Sequence, residues 1–504
     1  MGRSSGRDNK ARGRGWRATA LTAVALAVVT TLSALGASAS AAPADGDRGR
    51  EAGWADRESR QRWGNEFRTW GTARPILRRE IRDIIRSDWA ERKDADGGGI
   101  DVALVDTGIA PVPGLDDPDH VVNGPDLSLD FQAGLPAGID AYGHGTHMAS
   151  IIGGEGGMAR RARLVNVKVG SADGAVDVSQ MIAAIDWVVQ HRDDDGMNIR
   201  VLSLSGGTDS TQSYLVDPLT HAVESAWHHG IVVVAAAGNS GGPLADPAID
   251  PYVISVGAVD MVDPRNPFDD IVAPFSAVGT PERGVDLVAP GVSVLGLRVP
   301  GSTIDAANPG SVVGGSLFRG SGTSQAAAVV AGAAAQLLSD RPELRPDQVK
   351  ALFAASARRL LTAPPEGQGA GVLDLRVALR LPAPAAAQTH PRSSGSGSLE
   401  LARGGEHLVA EDGTVLEGEF DLQGGPWDPQ RWAPLASAGQ AWDGGTWNGN
   451  VWTGGAWGAA GEATGSPLLG RTWRSEVWAG RTWRADLWLG RTWRGHTWRN
   501  GAWE

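Results

Sequence analysis

The sequence predicts an α/β fold, a parallel sheet covered by helices, and two observations carry that prediction. Short continuous apolar runs recur at 100–105, 164–169, 199–204, 231–236, 252–256 and 285–288. Runs of this length without polar alternation suit strands buried on both faces, as in parallel pairing. Helical periodicity marks 144–152, 178–190, 215–229, 323–339 and 347–357. Strands therefore alternate with helices that can cover both faces of the sheet. Pro342 marks the end of the alanine-rich helix, because proline cannot continue one.

With 504 residues the chain exceeds one ordinary domain, and a main domain with appendages is expected. The absence of cysteine excludes disulfides and thiol or cysteine–zinc chemistry, without arguing for the cytoplasm. A formal charge of −12 keeps the body soluble and gives no reason to expect a nucleic-acid partner.

The N-terminus reads as an export signal over residues 1–42. Basic residues run from Arg3 to Arg17, an apolar stretch follows at 18–35, and Ala37, Ser38, Ala39, Ser40, Ala41 and Ala42 suit a signal peptidase. The expected location is extracellular, released or at the cell surface; an uncleaved anchor is the alternative. Residues 43–98 are charged, and Ile76, Leu77, Ile81, Ile84, Ile85 and Trp89 at helical spacing predict one amphipathic helix. It is either part of a short prosegment or a helix packed on the domain that follows.

Three motifs carry chemistry: Asp106 in DVALVDTG, His144 in GHGTHMAS and Ser324 in GSGTSQAAAVVAG. Asp106 follows a buried strand, so its carboxylate emerges at the strand's carboxyl end, where ligand sites of parallel sheets collect. Gly108 lets the chain turn away. His144 stands between Gly143 and Gly145 at a helix start, with room to face two partners. Ser324 begins a helix, whose dipole stabilises negative charge developing beside the hydroxyl. Together they suit a triad in which Ser324 attacks a carbonyl, His144 carries the proton and Asp106 fixes the imidazole tautomer. Singly, each residue has a plainer reading as a turn former or helix cap, but those readings do not predict the order Asp, His, Ser. His144 and His147 lack a third ligand at matching spacing, so no metal is expected. Asp193, Asp194 and Asp195 read as a solvated loop rather than a calcium site.

These segments, with AAAGNSG between them, resemble the subtilisin-like serine proteases, the subtilases. Further likenesses are VLSLSGG, VISVGAV, Ala289-Pro290-Gly291 and Gly369-Ala370-Gly371-Val372. The resemblance implies a subtilisin-like three-layer domain over 99–381 acting on polypeptide substrates. No cofactor is required by the triad chemistry; structural calcium stays open as an alternative that the sequence does not indicate. The resemblance also implies that Asn239 and the Ser324 backbone N–H form the oxyanion hole. Ser205, Gly206, Gly207, Ala236, Ala237 and Gly238 would bind an extended peptide like an added strand. After the nucleophile the chain has Gln325-Ala326-Ala327-Ala328-Val329-Val330 where the family's usual run is Met-Ala-Ala-Pro-His-Val. An altered first helical turn is expected there, and alanine is the better helix former.

Beyond residue 381 the composition turns to Pro, Ala, Ser and Gly, and 382–398 reads as a flexible linker. Residues 399–426 carry a β-hairpin signal, His407-Leu408-Val409-Ala410 and Thr414-Val415-Leu416-Glu417 flanking Glu411-Asp412-Gly413. In 427–504, Trp442, Trp447, Trp452 and Trp457 recur every five residues, then Trp473, Trp478, Trp483, Trp488, Trp493, Trp498 and Trp503. This period fits neither a strand face nor a helix face and predicts stacked units of turn plus short strand. The tail resembles those of exported actinobacterial subtilases. Either the rings interlock as a β-rich core, or exposed rings with Arg471, Arg474, Arg481, Arg484, Arg491, Arg494 and Arg499 bind cell-wall glycan. Three readings of the whole result: a secreted endopeptidase, a catalytically impaired peptide-binding relative, or a wall-associated protein.

Overall fold

The structure is a computed structural model that describes residues 74–453, except 133, 134, 264, 265, 267, 362, 406, 411 and 412, and in addition residues 473–475. The expected signal peptide, the prosegment up to residue 73 and most tryptophan repeats after 453 lie outside the described residues.

The described chain enters through two short helices, α1 (Arg78–Ile84) and α2 (Asp88–Glu91), rather than the single helix predicted. Arg86 adopts a left-handed φ of 59°, and the Ser87 N–H turns back onto the Arg82 carbonyl at 2.8 Å, which ends the first helix. Arg86 is held there by Asp374 at 2.9 Å. The apolar spacing continues across the break, so periodicity could not reveal it. Ile76, Ile81, Ile85 and Ala90 are buried in the main core, and Ile76 pairs with the backbone at Ser293 and Leu295.

The central sheet is built from β1 (Asp101–Asp106), β2 (Val121–Asp126), β3 (Arg163–Lys168), β4 (Ile199–Leu204), β5 (Val232–Ala236), β6 (Ile254–Asp260), β7 (Ile271–Val272) and β8 (Leu287–Pro290). Its order is β2-β3-β1-β4-β5-β6-β7, with β8 also on β6. All pairs are parallel except β6 with β7. β1 and β5 are buried along their whole length, and each such valine or leucine contributes roughly 1.5–3 kcal/mol by leaving water. The helices α3 (His144–Ile152), α4 (Val178–Gln190), α5 (Pro218–His228), α6 (Thr323–Asp340) and α7 (Pro346–Ser356) cover it. α6 lies along β4, β5 and β6 with α3 beside it, while α4 and α5 pack on one another.

Most predicted strands fall in place. β6 and β8 begin two residues later than the apolar runs suggested, the run at 252 opening in a loop where the Tyr252 N–H bonds to Asp250. β2 escaped notice because it is an edge strand, VVNGPD, half-buried and carrying no apolar run. A small antiparallel sheet of β9 (Val294–Leu297), β10 (Val312–Val313) and β11 (Leu317–Gly320) was also not foreseen.

The segment 382–398, expected as a flexible linker, is instead laid over α5. The Ser393 N–H donates to both oxygens of Glu224 at 2.8 and 2.9 Å, and Ser394 and Gly397 pair with the backbone at Leu215 and Val216. Its glycines serve close approach: a Cβ on Gly395 would lie 2.7 Å from the His221 ring. Composition alone cannot tell small residues used for packing from small residues used for flexibility.

The C-terminal region then grips α4. In α8 (Leu399–Arg403) the guanidinium of Arg403 is fully buried and donates to Asp177 at 2.7 Å, while Asp177 itself caps α4. Where a hairpin was expected, β12 (Leu408–Ala410) bridges antiparallel to Val415 and also pairs with β16 (Trp473–Ser475); residues 411 and 412 of the intended turn lie outside the described residues. After α9 (Pro429–Ser437) come β13 (Trp442–Asp443), β14 (Thr446–Trp447) and β15 (Asn450–Val451), an antiparallel trio. Asn448 and Gly449, both at positive φ, make the two-residue turn between β14 and β15. Trp442, Trp447 and Trp452 are buried. The indoles of Trp432 and Trp447 both donate to Asp186 Oδ2 on α4, at 2.7 and 2.8 Å, and Trp442 donates to the Ala183 carbonyl at 2.9 Å. These first repeats thus follow the interlocking reading, with the α/β body as part of their core.

Candidate active site

Parallel register assembles the site at the carboxyl edge of the sheet. Asp106 ends β1, Ser205 follows β4, and Ala237, Gly238 and Asn239 follow β5, on strands that are immediate neighbours. The helix starts of α3 and α6 bring His144 and Ser324 to the same edge.

Asp106 Oδ1 lies 2.8 Å from His144 Nδ1, with both side chains buried. The Thr107 N–H donates to the same Asp106 oxygen at 2.7 Å. A Cβ on Gly145 would lie 2.1 Å from the Gly108 carbonyl, so glycine is required for α3 to bring His144 this close to β1. Burial pushes the Asp106 carboxyl up to about 7, against the Thr107 hydrogen bonds and the Lys168 charge. Burial likewise holds the His144 imidazole well below its usual range, with Asp140 opposing. Around neutrality His144 is therefore a neutral imidazole, able to accept a proton.

Ser324 is the second residue of α6 and is fully buried, and its hydroxyl donates to the Ser205 carbonyl at 3.2 Å. The residue before it, Thr323, donates through its N–H and hydroxyl to Asn239 Oδ1 at 2.9 and 3.0 Å, and accepts from the Gly238 N–H at 3.1 Å. One continuous set of contacts thus links Ser205, Ser324, Thr323, Asn239 and Gly238. The predicted peptide-binding stretches flank it and share a neighbour, the turn at Ala245 and Asp246: Thr208 pairs with Asp246 and Ala237 with Ala245. A mainly apolar recess formed by Asp106, Thr107, Gly170, Val176, Met181 and Gly206 opens beside the carboxylate.

His147 Nε2 is bonded to the Phe318 carbonyl at 3.1 Å, and burial pushes its ring down to about 3. Among the described residues no group of three or more His, Asp or Glu side chains is arranged to hold a metal ion. The loop from Asp193 to Asp195 is exposed. Thr107, Asp140, Lys168 and Thr323 were not singled out in the sequence. Thr323 lies inside the GTS motif and Asp140 four residues before His144, but spacing gave no sign that Lys168 joins them.

Residues 97–371 match the family model described as the Subtilase family. The chain is 37% identical over 295 residues to Serine protease AprX of Bacillus subtilis, the match covering 55% of this chain and 65% of that protein, just under two thirds. It is 33% identical over 288 residues to Subtilisin DY of Bacillus licheniformis, covering 55% and 90% respectively. Among solved structures, a cold adapted subtilisin-like serine proteinase aligns at 29% identity over 55% of this chain and 88% of that one, with a TM-score of 0.42. The chain belongs to the subtilase family.

Proposed function

We propose that this chain is a secreted serine endopeptidase that hydrolyses polypeptides through Asp106, His144 and Ser324. The observation that carries the reading is the 2.8 Å contact between Asp106 and His144, at the same sheet edge as a serine at a helix start. Ser324 attacks the scissile carbonyl while His144 takes the hydroxyl proton and returns it to the leaving amine. Asp106 holds the Nδ1–H tautomer and stabilises the imidazolium that forms. Asn239 and the Ser324 N–H receive the oxyanion, and removing one such donor typically costs about 10²–10³ in turnover. Ser205, Gly206, Gly207, Ala236, Ala237 and Gly238 hold the substrate as an added strand. The catalytic unit spans 99–381, and export is directed by 1–42. No cofactor is required by this chemistry.

One observation favours a catalytically impaired relative: the Ser324 hydroxyl donates to the Ser205 carbonyl. Catalytic hydrogen bonds of an unliganded site often form only with substrate bound, so the endopeptidase reading stands above it. Casein hydrolysis by the purified protein decides between them. Hydrolysis that is lost in Ser324→Ala supports the endopeptidase; an inactive wild type, or a mutant that digests as fast, refutes it.

A further inference from the structure

Thr107 is tied to Asp106, to the backbone next to His144 and to two buried charges. Its N–H donates to Asp106 Oδ1 at 2.7 Å, and its hydroxyl donates to Asp140 Oδ1 at 2.9 Å. The same hydroxyl accepts from the N–H of Gly145, the residue after His144, at 2.8 Å. Its carbonyl accepts from Lys168 Nζ at 2.7 Å.

Asp140 works from the other side. Its Oδ1 also accepts from the Gly143 N–H at 2.6 Å, and its Oδ2 accepts from the Thr146 N–H and hydroxyl at 2.8 and 2.7 Å. The backbone is thereby fixed immediately before His144 and two residues after it. Lys168 is paired with Asp106 in the register of β1 and β3. Its ammonium, fully buried, also reaches the Gly170 carbonyl at 2.7 Å and Asp130 at 3.0 Å. Burying a carboxylate and an ammonium costs several kcal/mol each unless their bonding is complete. Here these bonds converge on one threonine between the strand that ends in Asp106 and the helix that starts at His144.

We propose that Asp140 and Lys168 are positioning residues that act through Thr107, fixing the Asp106 carboxylate and the His144 imidazole relative to each other for proton transfer. The assignment rests on the endopeptidase reading. Neither residue touches the reacting atoms, so their loss lowers kcat and leaves KM in place.

The deciding pair is Thr107→Val, which keeps the shape and removes the hydroxyl, against Thr107→Ser, which keeps the hydroxyl. T107V is expected to lose roughly 10²-fold in kcat with KM within about twofold, the scale of a small misplacement of reacting groups. T107S keeps the hydroxyl and the bonds it makes, so kcat stays within about threefold, less than the loss of a typical net hydrogen bond would cost. Asp140→Asn, which turns an amide N–H₂ toward groups that are themselves donors, and Lys168→Met follow the T107V pattern. T107V as fast as T107S, or losses confined to KM, overturns the assignment. So does a T107S that falls as far as T107V, which makes the defect one of packing. Wild-type protein that cleaves nothing defeats the endopeptidase reading instead, so the two failures are told apart.

Discussion

Thr323 binds Asn239 twice, its N–H and its hydroxyl both donating to Oδ1 at 2.9 and 3.0 Å. Two donors on one atom identify that atom as the amide oxygen, so the Asn239 N–H₂ faces away from Thr323. With Ser324 next in the chain, the two groups proposed as oxyanion donors are tied together through Thr323. Asn239→Ala is expected to lower kcat by about 10²–10³ with little change in KM. Thr323→Val, which keeps the N–H, costs about tenfold, the worth of roughly 1.4 kcal/mol of hydrogen bonding. Steady-state kinetics on a peptide substrate checks both; a rise in KM alone would remove Asn239 from the oxyanion hole.

Activity should fall as pH drops through about 7, where the Asp106 carboxyl, pushed up by burial, takes a proton. The imidazole is neutral over that range because burial holds it down, so the carboxyl governs the acid limb of kcat/KM. The stability term has the opposite sense. The folded value lies above the roughly 3.9 of an unfolded chain, so the contribution is complete below about 4 and is lost as pH rises through about 7. A pH profile of kcat/KM whose acid limb lies below pH 5 would contradict this.

Asp186 joins the tail to the catalytic body by accepting from two indoles. Asp186→Ala leaves two buried N–H groups without their acceptor, at about 1–3 kcal/mol each. Urea unfolding should show a loss of roughly 2–6 kcal/mol in total on that basis, while kcat at 25 °C stays within about twofold, since the side-chain bonds of Asp186 go to the tail's indoles and not to Asp106, His144 or Ser324. A stability change under 0.5 kcal/mol, the scale of ordinary surface substitutions, would show that the tail does not hold the domain.

Lys350 is expected to be structural. Its ammonium donates to the carbonyls of Pro251, Tyr252 and Val253 and pairs with Asp286 at 3.1 Å. Lys350→Met leaves Asp286 with Arg283 at 3.1 Å as its remaining ion-pair partner and should cost about 3–5 kcal/mol, the usual result of breaking a buried pair. Thermal unfolding checks it, and an unchanged Tm contradicts it.

Helical periodicity located the principal helices, and the continuous apolar runs located β1, β3, β4 and β5 within a few residues because both faces of these strands are buried. That signal is absent from β2, which lies on the edge, and from the break at Arg86, where backbone geometry changes while apolar spacing does not. Asp106, His144, Ser324 and Asn239 could be proposed from the sequence because their flanking residues are distinctive. Asp140 and Lys168 were not, since a buried charge is recognised by what surrounds it, and strand pairing supplies those surroundings. The ordered path of 382–398 was hidden for a similar reason: its glycines and serines are small to fit against His221 and Glu224.

The central claim is that Ser324 is a nucleophile activated by His144 beside a formed oxyanion hole. Incubation with a serine-directed phosphonate, followed by intact-mass and peptide analysis, tests all three parts in one measurement. One covalent adduct on Ser324, absent in Ser324→Ala and formed far more slowly in His144→Ala, is the expected result. An unmodified wild-type chain, or an adduct on any other serine, would contradict the account.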